Sequence, residues 1–508
     1  MWTYIALTTG EIAVNIVLVN PPEIPGHMSF RDMAGGLGTS PGISFLKSLF
    51  YNFNLEQHSG PPMDLLYSAS VLESSGNSVE IVDALAMRMS AEQTITNAVK
   101  KDPDAIGVRI SLPSLIPDIK LINGIKERCP SAKVFGFGPV IKNTYDHWID
   151  EFKGDFLLFG EPEAVISDVL ASGDIRSCEG VLYRDDEGLK ITSDWVYCQD
   201  IESLPYPAWH LIPLKYYAFR HKVEDFTFYV LSSRGCPNKC NMCPYPVHHG
   251  RKWRSRGPES VLGELIYLKE RFGATNIQFR DPNFALNKNR LVGLCNSIVG
   301  SGRRWRWTCE VDLQNLNEEL INIMAKAGCA RIMTGIESTD DSTLSEIGQD
   351  PGSVPKIERM IDVCRSHNID LTGFYIVGFP GETWDSVSRN LDYARKINIR
   401  SVVSLMTPYH GTGLREDALK EKLIKEDAGF GSYDGFNCVI RSRQMDFGDI
   451  ELAWKYMSSE LDYVNSELMF RKYSDARKLG ALVKMAENRI RYMPVRSQAK
   501  KKLTSYKN

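Results

Sequence analysis

No apolar run in the 508 residues is long enough to cross a bilayer, and the first basic residue is Arg31, so neither a membrane span nor the basic start of a secretory signal is indicated. Acid and base nearly balance, with 63 Asp and Glu against 60 Lys and Arg, which leaves no whole-molecule field for a nucleic acid. No strand-end loop carries GxGxxG and GxxxxGK[ST] is missing, so a nicotinamide or nucleotide-phosphate site gets no support. There is no internal repeat and no low-complexity tract. Disulfide spacing is missing too: eight of the 11 cysteines are scattered among apparent strands and helices, as in a reducing, cytoplasmic setting, and Cys295 and Cys364 read as small core residues. What these absences leave is a large chain with more than one core, long enough for about three domains, a size that agrees with an enzyme.

The other three cysteines stand together. Cys236, Cys240 and Cys243 lie in Arg234-Gly-Cys-Pro-Asn-Lys-Cys-Asn-Met-Cys-Pro-Tyr245, a run whose Gly, Pro, Asn and Lys make it a loop. Three thiolates at CxxxCxxC spacing supply three corners of a four-iron cluster and leave one iron open to chelate a cofactor; clusters built for electron transfer alone normally carry Cys on every iron. The same residues also suit a zinc site completed by His248, His249 or Cys309, since structural zinc accepts both donor types.

From Ile12 to about Ser172 short β-branched runs alternate with helix-period segments. The strands are Ile12–Val19, Ser78–Ala84, Ala105–Ser111, Ala132–Gly138 and Asp155–Gly160, with helices such as Asp64–Gly76 and Ile116–Cys129 between them. This is the pattern of an α/β, doubly wound parallel sheet, in which ligands lie at the carboxyl ends of strands. The loops to inspect therefore hold Asn20 and Pro21, Ser111 and Leu112, Gly136 and Gly138, and Gly160 and Glu161. A hairpin at Gly180–Ser193 follows, and then Leu204–Pro213, where three prolines exclude helix and Trp209 and His210 read as interface core.

Six strand–helix pairs come next, the rhythm of a partial β/α barrel: Phe226–Ser233, Asn276–Arg280, Trp305–Val311, Arg331–Ser338, Leu371–Phe379 and Ser401–Tyr409. The cysteine loop follows the first of these strands, at the end where such barrels carry their chemistry. Arg251–Arg256 reads as a solvated basic turn. Phe447–Tyr492, with Leu479, Leu482, Val483 and Met485 at helical spacing, reads as a helical cap over the barrel mouth, with Lys500–Lys502 in a frayed tail. The organisation is thus 1–200 Rossmann-like with a hairpin, 201–225 linker, 226–430 partial barrel and 431–508 mostly helical.

At the cysteine loop the chain resembles the radical S-adenosylmethionine (radical SAM) enzymes, departing at Met242, where that family usually has an aromatic. The order of Asn20-Pro-Pro22, Arg31–Gly38, Pro61–Ser70, Val79–Ala84 and Gly160–Glu163 resembles the cobalamin-binding domain that precedes the radical domain in one large branch. The resemblance implies a 4Fe-4S cluster on Cys236, Cys240 and Cys243. It places SAM near Tyr245, Asp281, Glu337, Ser338, Gly378 and Gly381, and cobalamin near Asn20, Pro21, Ser111, Leu112, Gly136, Gly138, Gly160 and Glu161. Leu85 stands where many cobalamin domains have a histidine, so no lower imidazole on cobalt is expected.

The activity implied is that of a methyltransferase: one SAM methylates cobalamin, a second gives a 5′-deoxyadenosyl radical, and the substrate radical collects the methyl group. The same cofactors run the oxidative ring closure of anaerobic magnesium-protoporphyrin cyclases, a second reading. A methylthiotransferase lacks support, since Cys129, Cys178 and Cys198 are too scattered for a further cluster. A zinc-stabilised binding module is the non-enzymatic reading. The partners implied are a small-molecule or natural-product substrate and a flavodoxin- or ferredoxin-type electron donor, with neither a membrane span nor a nucleic acid. The substrate-contacting catalytic residues carry no portable motif.

Overall fold

The computed structural model describes residues 13–39, 60–217, 226–472 and 476–507. Ile12, part of the linker and the side chain of Leu479 lie outside the described residues. The chain divides into two compact units, the first reaching Val223 and the second beginning at Glu224.

In the first unit β1 (Asn15–Asn20) pairs in parallel with both β2 (Ser78–Asp83) and β3 (Ala105–Arg109). Then come β4 (Lys133–Phe137) and β5 (Phe156–Leu158), giving the order β2-β1-β3-β4-β5, and the antiparallel strands β6 (Val181–Asp185) and β7 (Gly188–Ile191) extend the β5 edge. Helices α1 (Met63–Ser74), α2 (Ala91–Val99), α3 (Leu115–Arg128) and α4 (Pro162–Ala171) alternate with the parallel strands. Ile16 to Val19 are all buried, which is why β1 reads as an unbroken apolar run rather than an alternating one. Strand order reverses between β1 and β3, so the Asn20 and Ser111 loops leave the sheet at its topological switch point. The expected linker begins inside this unit: Ala208 donates to the Leu66 carbonyl at 3.1 Å, Trp209 is fully buried, and α5 (Leu214–Tyr217) returns Tyr217 to Asp83. His210 is a correction, because it is exposed and pairs with Glu73 at 3.0 Å rather than filling an interface.

The second unit starts with β8 (Thr227–Val230), a short antiparallel pair of β9 (Ser233–Arg234) with β10 (Arg254–Ser255), and α6 (Tyr245–His249) between them. Helices α7 (Pro258–Phe272), α8 (Lys288–Gly300), α9 (Glu318–Lys326), α10 (Asp341–Glu346), α11 (Val354–Ser366) and α12 (Trp384–Ile397) cross between strands β11 (Asn276–Phe279), β12 (Arg306–Glu310), β13 (Cys329–Glu337), β14 (Asp370–Val377) and β15 (Arg400–Leu405). The six long strands run in parallel in the order β8-β11-β12-β13-β14-β15, an open sheet with β8 and β15 at its edges. The basic run is not a solvated turn: Arg254 and Arg256 are buried, bonded to the His249 carbonyl and to Glu264, because pairing with β9 turns alternate side chains inward.

After α13 (Gly413–Lys420), three helices end the chain: α14 (Phe447–Lys472), α15 (Ala476–Arg491) and α16 (Met493–Lys507). Of the expected cap, α14 starts against the strand-end turn, where a Cβ at Gly378 would stand 3.2 Å from Ile450, and then runs along the sheet edge. Helix α14 packs on β15, where the Asn465 side chain accepts from Ser401 N at 2.9 Å and donates to its carbonyl at 2.7 Å, satisfying an edge strand that would otherwise be open.

Candidate active site

The cysteine loop is built by close backbone contacts. Gly235 has φ +77°, and a Cβ there would stand 2.1 Å from the Lys252 carbonyl oxygen, so only glycine fits before Cys236. Cys236 N donates to Gly250 O at 3.1 Å, Asn241 N to Ile347 O at 3.1 Å and Leu414 N to Asn241 O at 3.2 Å, which ties the loop to α10 and α13. Met242 packs with Leu344, Ile347, Phe379, Met406 and Leu414, the apolar place that the resemblance assigns to an aromatic.

All three thiols are free; after burial, Cys236 acts on Cys240, and both act on Cys243, in the raising direction. Burial pushes Cys243 up to about 12 and raises Cys236 and Cys240, so the iron-free loop holds neutral thiols that give up protons to metal. Backbone N–H groups of Asn238 and Tyr245 reach the Cys236 and Cys243 sulfurs, and Gln349 donates to Cys240 Sγ at 3.9 Å. Hydrogen bonds of this type tune iron–sulfur potentials. Among the described residues no three His, Cys, Asp or Glu groups close on one point as a tetrahedral zinc requires, whereas three thiols bound to three different irons need not share one. Cys309, a candidate fourth zinc ligand, is fully buried beside Cys329.

Glu337, at the end of β13, lies within electrostatic reach of Cys240 and Cys243. Its φ is +59°, and the β13–β14 register shifts between Gly335 and Glu337, which turns the side chain out of the strand's alternation. Its Oε2 is buried without a hydrogen-bond partner among the described residues. Burial, then Asp312 and Glu310, push the carboxyl up to about 8. Arg280, on the neighbouring strand, comes within 4.0 Å of Glu310.

The other expected SAM contacts divide. Asp281 is fully buried and accepts from Ser232 N at 2.8 Å and from the Ser232 and Ser233 hydroxyls at 2.6 Å each, so it clamps the entry to the cysteine loop and offers no free oxygen; the matching serines are invisible until β8 and β11 are aligned. Ser338 is likewise buried in its own turn, its hydroxyl accepting from Asp340 N at 3.1 Å. Gly378 adopts φ +107° and donates to Glu382 at 3.3 Å, while Gly381 lies where a Cβ would stand 3.3 Å from Glu346. Glu382, pushed up to about 7 by burial, is bonded to Ser386 and Gly378 at the start of α12. Tyr245 opens α6, its ring 4.6 Å from that of His249. His410 sits between Phe430 and Tyr433, at 5.5 and 5.2 Å between ring centres.

In the first unit Asn20 donates to Asp83 Oδ1 at 2.8 Å and Tyr217 to Oδ2 at 2.5 Å; burial raises the Asp83 carboxyl, and Leu85 is buried. Pro21 and Pro22 offer their carbonyls to Arg31, whose buried ion pair with Asp118 at 2.9 Å also engages Ser111 N. Leu112 N bonds Leu37 O at 2.8 Å, and Arg109 holds the Arg31 carbonyl at 2.6 Å. This ionic clamp on the 31–38 loop escaped sequence reading, because its charges come from β3, α3 and a loop far apart in the chain. At Gly138, φ +143°, a Cβ would meet Ile110 O at 2.3 Å; at Gly136 it would meet Ile110 and Leu157 at 2.6 and 2.7 Å. Gly160 and Glu161 hold the segment beyond the hairpin, through a bridge to Val196 and a bond from Cys198 N at 2.8 Å.

The radical SAM superfamily model matches residues 230–394. This stretch is a radical SAM domain. An uncharacterized methyltransferase of Pyrococcus horikoshii is 27% identical over 72% of this chain and 80% of its own length. An anaerobic magnesium-protoporphyrin IX monomethyl ester cyclase of Synechocystis is 24% identical over 72% of this chain and 74% of its own. The solved radical SAM methyltransferase TsrM of Kitasatospora setae, which contains cobalamin and a [4Fe-4S] cluster, superposes with a TM-score of 0.67 at 16% identity, over 95% of this chain and 100% of its own. The two chains share a fold.

Proposed function

We propose that this protein is a cobalamin-dependent radical SAM enzyme that methylates an unactivated carbon of a small molecule. One observation carries the reading: the buried, unpartnered Oε2 of Glu337 lies within electrostatic reach of the Cys240 and Cys243 thiols at the C-terminal end of a parallel sheet. An ionised carboxylate there needs a cation, and SAM brings an ammonium and a sulfonium. Cys236, Cys240 and Cys243 would hold the cluster, and Glu337 would take up the amino group or ribose of SAM. The strand-end turn at Gly378–Gly381 and the Tyr245 backbone would flank the rest of that cofactor.

In the first unit, the loops at Asn20–Pro21 and Ser111–Leu112 stand at the switch point where a sheet of this order takes its ligand, and they would hold cobalamin with the close backbone at Gly138. Leu85 is buried and apolar, so it would give a bound cobalamin no imidazole. When bound, the cluster supplies the electron that cleaves SAM to a 5′-deoxyadenosyl radical, and cobalamin carries the methyl group. The residues' task is to keep the thiols desolvated, to fix the SAM ammonium and to exclude water from the radical. The electron would come from a flavodoxin- or ferredoxin-type donor in the cytoplasm. Oxidative cyclisation is the second reading, favoured by the match to the cyclase.

Anaerobic purification with iron, sulfide and corrin analysis, followed by reduction with methyl-labelled SAM and product analysis, tests this. We expect iron–sulfur charge-transfer absorption, bound corrin, 5′-deoxyadenosine and label in product. Label recovered only in methionine would select cyclisation, and no iron–sulfur absorption after reconstitution would refute the assignment.

A further inference from the structure

An amphipathic helix on a globular protein normally turns its apolar stripe to the core. Helix α15 does the reverse. Among its described side chains the buried ones are Ala481 and Asn488, on the side packed against α14, whereas Leu482, Val483, Ile490 and, at the start of α16, Met493 are 44, 58, 77 and 68% exposed. Ala486 is exposed among them. At about 100° per residue the four positions of α15 fall within roughly one quadrant of the helix, opposite the side that Ala481 presents to α14. The attachment to the protein is polar: Arg489 donates to Tyr463 Oη at 3.0 Å, Arg496 bonds Glu460 and Asn488, and Lys478 lies over the Phe470 ring at 4.5 Å. Among the described residues these contacts lie at or beyond the margin of the outward stripe.

Charge indicates what covers it. In a chain of net charge −3, residues 476–507 contain ten Lys and Arg and one acid, Glu487. Lys478 and Arg489 run along one margin of the stripe, Lys484 and Arg491 lie beyond the other, and Lys500 and Lys501 are exposed on the following helix. A second copy of this surface would set like charges against each other. An anionic bilayer suits both features, since the aliphatic stripe enters the acyl boundary while long basic side chains reach the headgroups. We propose that the outer face of α15, continued by Met493 and the basic face of α16, docks this protein on an anionic membrane surface. None of the described helices is long and apolar enough to cross a membrane, so the contact is peripheral.

The test uses the full-length, iron-loaded protein with vesicles of equal phosphatidylglycerol and phosphatidylcholine, or of phosphatidylcholine alone. We expect co-sedimentation with the anionic vesicles at 0.1 M salt, little with the neutral ones, and at least a fivefold loss at 0.5 M salt. Val483→Asp/Ile490→Asp should lower partition at least tenfold with unchanged helix content and iron, and Lys500→Glu/Lys501→Glu should lower it at low salt. No partition of the wild type, or equal partition of wild type and the Val483/Ile490 variant, would overturn the proposal. So would a light-scattering dimer that Ile490→Asp dissolves, since it would give the stripe to a second copy.

Discussion

The carboxylate of Glu337 occupies the space that a side chain at Gly335 would fill: a Cβ there would stand 2.3 Å from Oε1. Gly335→Ala should therefore push the carboxylate away from the thiols without touching the cluster ligands. We expect iron content to stay near that of the wild type and the SAM concentration for half-maximal 5′-deoxyadenosine formation to rise at least tenfold, about 1.4 kcal/mol of lost binding. Unchanged SAM dependence would remove Glu337 from the cofactor's contacts.

The Glu337 carboxyl, pushed up to about 8 by burial and by Asp312 and Glu310, makes a signed prediction for the iron-free protein. Its proton is held more tightly in the folded than in the unfolded state, so its contribution is present below the unfolded value and fades as pH rises from about 4.5 through 8. Glu337→Gln stays neutral and abolishes that loss. Thermal denaturation should find the variant gaining on the wild type by roughly 2–4 kcal/mol between pH 5 and pH 8.5. Parallel curves would mean that the carboxylate already has a partner.

The thiols differ by environment. Cys236→Ala, Cys240→Ala and Cys243→Ala should each abolish the iron–sulfur absorption and SAM cleavage. Cys295→Ala and Cys364→Ala, buried in the core, should keep both and cost on the order of 1 kcal/mol of stability. Full iron loading in any of the first three would defeat the cluster assignment.

Much of this was legible because it is local. Apolar runs alternating with helical segments gave both sheets, and the CxxxCxxC loop follows the first long strand of the second sheet as read. Pairing across the sheets was not legible. Asp281 reads as a strand-end contact until β8 sets Ser232 and Ser233 opposite it, and Arg254 and Arg256 read as surface until β9 turns them inward. Gln349 reaches Cys240 across more than a hundred residues with no motif around it. The outward stripe of α15 has the same periodicity as a core-facing one, and only the packing on α14 shows its direction.

Asn465 gives a prediction remote from the chemistry. Its side chain closes both backbone groups of Ser401 on the edge strand, so Asn465→Ala leaves a donor and an acceptor unpaired beneath α14. We expect a loss of roughly 1–3 kcal/mol by chemical denaturation, with iron content and SAM dependence preserved.

Asp281 separates a clamp from a cofactor contact most sharply. Three donors converge on its carboxylate, at 2.8, 2.6 and 2.6 Å, and Asp281→Asn would turn an amide N–H toward at least one of them. Ser232 and Ser233 lie just ahead of Gly235, whose own geometry is fixed by the Lys252 carbonyl, so slack at the serines passes directly to Cys236. The expected outcome is a protein destabilised by about 2–3 kcal/mol that takes up less iron, while the fraction that is loaded cleaves SAM with ordinary SAM dependence. A contact to SAM predicts the opposite split, with full iron and weakened SAM. Iron per chain, measured beside the SAM dependence of 5′-deoxyadenosine formation, decides between them.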